Sequence, residues 1–158
     1  MRVSILGVGN SLLSDDGVGV HAVRALAERA AAEGIATAEA EIAGFGLLEL
    51  LEGSGAVVVV DAVRLDGLAP GEIVTFDVND RPAGALHLVS GHQIDVPCAL
   101  QLGAMTGLDM PRSVTVVGVQ IEDDFTFSES MTPAVAAAVV PASQAALECA
   151  RRFARDGI

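Results

Sequence analysis

Hydrophobic and polar positions along this chain switch back and forth between a strand-like and a helix-like period. VSILGV at 3–8 is an apolar run closed by glycine, the pattern of a central parallel strand buried on both faces. Ser14 is then placed to cap a helix from about 15 to 33. Val18, Ala22, Val23, Leu26 and Ala30 form one face of it, Arg24, Glu28 and Arg29 lie off that face, and Gly34 supplies the stop. Residues 36–42 alternate: Ala36, Ala38, Ala40 and Ile42 point one way, Thr37, Glu39 and Glu41 the other. That is an edge strand. A short helix at about 46–52 leads to AVVVVD at 56–61, a strand buried on both faces and ending on Asp61.

A turn and a second alternating strand at 72–77 give another edge, and 78–91 is irregular. A helix follows from about 95 to 106, with Pro97 in its first turn and Gly107 at its end. SVTVVGV at 113–119 is the last central strand. Thr132–Pro133 opens a C-terminal helix in which Pro141 sets a kink. Five strands with helices between most of them predict a three-layer α/β sandwich in one domain over 1–158, its twisted sheet mostly parallel with helices on both faces. The link from the third strand to the fourth is too short for a crossover helix, so the fourth strand is expected to run antiparallel at an edge.

Composition narrows this picture. At 158 residues and 51% hydrophobic, the chain can bury a core without disulfides, and it is too apolar to be disordered. Nine basic residues, all arginine, stand against twenty-one acidic ones, a net charge of -12 that repels phosphate backbones and argues against nucleic-acid binding. Cys98 and Cys149 form no zinc spacing and no disulfide framework, and are expected as buried thiols. The strongly apolar runs are too short to cross a bilayer and the N-terminus has no signal-peptide pattern, so no membrane partner and a cytoplasmic location are expected.

In open α/β sheets, functional groups collect beyond the carboxyl ends of the strands. Three such places here carry side chains able to hold a metal: Asp15 and Asp16 after the first strand, Asp61 at the end of the third, and His92 in the irregular segment. Two carboxylates and an imidazole suit zinc, nickel or another first-row ion. Each residue also has a plain role open to it. Acids in a first helical turn favour the macrodipole, Asp61 can cap a turn, and His92 can face solvent. His21 and His87 are read as structural. GVGNSL begins like a dinucleotide fingerprint, but Leu12 occupies the third glycine position and two carboxylates would repel a pyrophosphate, so no nucleotide cofactor is expected. Cys98 with His92 as a thiol protease lacks an orienting third group.

Taken together, GVGNSLLSDDGVG at 7–19, VVVVDAV at 57–63, GHQ at 91–93, PRSVTVVGVQ at 111–120 and SMTPAV at 130–135 resemble, in order and spacing, the blocks of the hydrogenase maturation proteases. These are the endopeptidases that trim the C-terminus of nickel–iron hydrogenase large subunits. The resemblance implies a five-stranded mixed sheet between helices, with Asp16, Asp61 and His92 as metal-binding and catalytic residues. Family members carry glutamate or aspartate at the first of these, so Asp16 fits with a shorter arm. It also implies that the metal is nickel carried by the large-subunit precursor, the partner. Asn10, Asp15, Gly44 and Phe45 are expected to touch substrate, although AGFG at 43–46 replaces the more usual Gly-Gly-Thr. The alternatives are a hydrolase carrying its own zinc on the same triad, and a metal-binding assembly chaperone without peptidase activity.

Overall fold

The computed structural model describes residues 1–41, 46–80 and 95–157. Its strands are β1 (Val3–Val8), β2 (Ala36–Ala40), β3 (Ala56–Val63), β4 (Ile73–Asp77) and β5 (Ser113–Gln120). Its helices are α1 (Val18–Ala32), α2 (Gly46–Leu51), α3 (Val96–Met105) and α4 (Pro133–Asp156), with 3-10 turns at Ser14–Gly17 and Val78–Asp80. The strands form one sheet in the order β2-β1-β3-β5-β4. All neighbours are parallel except β4, which pairs antiparallel with β5 at the edge.

β1 and β3 are buried along their whole length, which is why their sequences carry almost no polar residue. The period-2 alternation divides their side chains between two cores. Val3, Ile5, Val58, Val60, Val117 and Val119 pack with α1 and α4. Leu6, Val8, Val57, Val59, Val114 and Val116 pack with α2 and α3. The sandwich therefore has three layers. From β1 the chain crosses through α1 to β2 on one side, then returns through α2 to β3 on the other. The winding reverses between β1 and β3, and that switch point is where an open sheet leaves a crevice.

Several boundaries differ from expectation. The helix expected from 15 is two pieces, a 3-10 turn and then α1, and Ser14 does not cap either. Its φ is +50° and its N–H donates to Ser128 O at 2.8 Å. β3 runs on to Val63 because β5 pairs with it as far as Val63↔Gln120, whereas β1 leaves off at Gly7↔Val60. Asp61 is thus the first β3 residue past the end of β1. Asp95, not the chain before it, caps α3 by accepting from Cys98 N at 2.7 Å. Cys98 is exposed, contrary to expectation, and Cys149 is buried.

α4 is a single helix through Pro141 and is long and apolar enough to cross a membrane, a point the shorter apolar runs had hidden. Here it is a core helix: Val135, Ala138, Ala142, Ala146, Leu147 and Ala150 pack into the α1 side of the molecule.

Candidate active site

The crevice is built by close backbone approach, and its glycines follow from that. Gly9 has φ +141°, and a Cβ there would lie 2.0 Å from Asp16 O. A Cβ on Gly19 would fall 2.2 Å from Val60 O and 2.5 Å from Val8 O. Only glycine lets the start of α1 press this hard onto the ends of β1 and β3. The glycine-rich first block is therefore a packing device that sets the 3-10 turn, and Asp16 within it, over the crevice where Asp61 emerges.

Asp16 is half-buried and its Oδ2 accepts from Asn10 N at 2.9 Å. Asp61 is 3% exposed. Its Oδ1 accepts from the adjacent Ala62 N at 2.8 Å. Its Oδ2 is buried with no hydrogen-bond partner among the described residues. Burial first, and the neighbouring Asp16 charge second, push the Asp61 carboxyl well above the usual range, against the smaller pull of the Ala62 amide. A desolvated carboxylate oxygen with no donor, beside a second carboxylate, is a costly arrangement that a cation would relieve. The donor set therefore fits a metal ion. Among the described residues no group of three or more His, Cys, Asp or Glu is placed to hold one, so the pair requires a further ligand from elsewhere.

Asp15, expected at the substrate, is fully buried, with Oδ2 accepting from Glu122 N at 3.0 Å and Asp123 N at 2.9 Å. Its Oδ1 accepts from Thr132 N at 2.7 Å, and the Thr132 hydroxyl reaches both oxygens. Its own N–H donates to Asp123 O at 2.9 Å. Asp15 thus ties the 3-10 turn to the β5–α4 loop and has no face left for a ligand. Thr132 is the N-cap residue of α4, but its hydroxyl makes no cap bond and is used in this clamp. Asn10 lines the turn below Asp16, and its Oδ1 accepts from Leu12 N at 2.9 Å. His21 lies in α1, where its Nε2 is buried without a partner among the described residues. His92, Gly44, Phe45 and His87 lie outside the described residues.

A three-layer α/β sandwich with two close carboxylates at its switch point has the layout of an enzyme that works through acid groups. Comparison with known proteins is more specific. The model of the hydrogenase maturation protease family (HycI) matches residues 20–149. Hydrogenase 2 maturation protease of Escherichia coli is 30% identical over all of this chain and 96% of its own. The hydrogenase expression/formation protein HoxM of Azotobacter vinelandii is 36% identical over 93% of this chain and 71% of its own. Among solved structures, the hydrogenase maturating endopeptidase HybD from E. coli superposes with a TM-score of 0.80 at 29% identity, covering 96% of this chain and 93% of its own. The [NiFe] hydrogenase maturation protease HybD from Thermococcus kodakarensis gives 0.70 at 27%, covering 95% and 99%. This chain belongs to the hydrogenase maturation protease family. Its fold is the one those peptidases share.

Proposed function

We propose that this protein is a cytoplasmic endopeptidase that removes the C-terminal extension of a nickel–iron hydrogenase large-subunit precursor once nickel has been inserted. Family membership supports the peptidase. The observation that carries the nickel dependence is the buried Asp61 Oδ2, which has no donor among the described residues and lies within reach of the Asp16 charge. Such a pair is satisfied by a cation, and the precursor's own nickel is the cation that makes the cut conditional on metal insertion. Nickel accepts mixed carboxylate and imidazole ligands, so Asp16 and Asp61, with His92, are the residues that reach it.

Each of this chain's groups then has a definite task. The Asn10 amide holds Asp16 Oδ2. The Ala62 amide holds Asp61 Oδ1, and Asp61 offers its Oδ2, which has no hydrogen-bond partner among the described residues. Glycine packing fixes the distance between the two turns without spending side chains. The metal supplies Lewis acidity near the scissile peptide when it is present. A resident zinc or a chaperone role would leave the same residues in place, and the chemistry of the precursor separates these readings.

The test is a mass spectrum of a cognate large-subunit precursor incubated with the protein, with and without nickel loading. Loss of the C-terminal peptide only from the nickel-loaded precursor is expected. Cleavage of both forms by protein purified with stoichiometric zinc would make it a self-metallated hydrolase. Binding without any loss of mass would make it a chaperone.

A further inference from the structure

We propose that the β5–α4 loop carries a docking surface for the precursor, in which Phe125 and Phe127, with Leu12 beside them, take up an apolar segment flanked by basic residues. The inference rests on the functional reading above. The chain has five phenylalanines and neither tryptophan nor tyrosine. Two of those five stand almost fully in water at one place, Phe125 at 78% and Phe127 at 79% exposure, with Leu12 at 41%.

These side chains are not on a loose loop. Leu13 and Ser128 form a parallel bridge, closed by Ser14 N donating to Ser128 O at 2.8 Å and Ser128 N to Leu12 O at 2.9 Å. That register sets Leu12 opposite Phe127. Asp123 Oδ1 accepts from Phe125 N at 3.1 Å and Thr126 N at 2.9 Å. Arg64 holds Asp124 at 2.7 Å, and Asp15 clamps both ends of the loop through Glu122, Asp123 and Thr132. A rigid loop that keeps large apolar side chains in water marks a contact surface, because nothing in its own fold is gained by holding them there.

Position and charge name the occupant. The segment Asn10–Asp16 carries both Leu12 and the site carboxylate, and Asn10 N donates to Asp16 Oδ2. A polypeptide whose scissile bond lies at Asp16 and Asp61 therefore runs beside this rim. Glu122 and Glu129 flank the two phenylalanines and are exposed, so the complementary segment is basic at its ends. A second copy of this chain is a poor occupant, since each copy carries a net charge of -12.

The test is steady-state processing of nickel-loaded precursor by wild type and by the double variant Phe125→Ser, Phe127→Ser. KM should rise roughly 30-fold, the size of an interface hot spot, with a much smaller change in kcat and an unaltered melting temperature. Glu122→Lys with Glu129→Lys should also raise KM and weaken its dependence on salt. A wild type that cleaves the precursor beside a double variant of equal KM overturns the docking surface and leaves the function standing. Wild type that sediments as a dimer, with the phenylalanine variant a monomer, makes the patch a self-interface and also overturns it. A wild type that cleaves no precursor overturns the functional reading and this surface with it.

Discussion

Replacing Asp61 with asparagine should make the protein more stable and inactive together. Asp61 is 3% exposed, and among the described residues only one of its oxygens has a hydrogen bond, from Ala62 N. Its carboxyl is raised above its ordinary value by burial first and by Asp16 second, so between the unfolded and folded pKa values the native state binds more protons than the unfolded one. The stability contribution of this group is fully present below the unfolded value of 3.8 and is lost as pH rises through the folded value. At neutral pH the penalty stands.

Asparagine keeps an oxygen for Ala62 N and cannot ionise. A buried acceptor left without a donor costs about 1–3 kcal/mol. In a domain of this size, about 2–4 °C of melting temperature goes with each kcal/mol, so a rise of about 2–12 °C is expected at pH 7.5. Calorimetry at pH 4 and pH 7.5 checks both size and sign, because the gain should be small at pH 4 and grow towards pH 7.5. A variant less stable than wild type at pH 7.5, or a gain equal at both pH values, would refute the reasoning. Processing of nickel-loaded precursor should be lost at every pH.

Asp15→Ala should cost about 3 kcal/mol or more, since it strands the amides of Glu122, Asp123 and Thr132 and the Thr132 hydroxyl, read as a drop in urea midpoint. Gly19→Ala should fold poorly or not at all, because the new methyl would sit 2.2 Å from Val60 O, and expression with circular dichroism will tell. Asp16→Ala and His92→Ala should each keep a cooperative melt and abolish processing. Normal processing by either variant removes that residue from the site.

The layered fold was legible because burial writes itself into periodicity. β3 and β1 are continuous apolar runs, β2 and β4 alternate, and the short β3–β4 link allowed only an antiparallel edge. The crevice was legible too, because Asp16 follows β1 and Asp61 lies where β3 outruns β1, on either side of the switch point. What the sequence concealed were contacts between segments far apart in the chain. The two acids at 15 and 16 look alike, yet one is fully buried beneath amides that come from residues 122, 123 and 132. No local pattern announces a bond across more than a hundred residues. Ser14 looked like a cap because serine before a helical run usually is one. Its N–H is taken by Ser128, which turns the backbone to a positive φ and leaves a 3-10 turn before α1. Cys98 read as buried from its apolar neighbours, but helical geometry turns it outward while Val96 and Ala99 face the core.

The instability concentrated at Asp61 has a use on the proposed function. An acid pair already satisfied by hydrogen bonds would gain little from a metal, and the protein would bind loaded and empty precursors alike. With no donor to Asp61 Oδ2 among the described residues, the cost of that buried oxygen is set aside, to be relieved when a cation arrives. Relief of about 1–3 kcal/mol corresponds to a preference of about 5- to 150-fold for the metal-loaded partner, before any bond to the metal itself is counted. Asp15 is the counterpart of this arrangement. By saturating its own oxygens it fixes the turn that holds Asp16, so the pair cannot relax apart to shed the strain. One of two adjacent aspartates is saturated by amides so that the turn carrying its neighbour stays fixed beside Asp61, and exchanging their environments would lose both the fold and the discrimination.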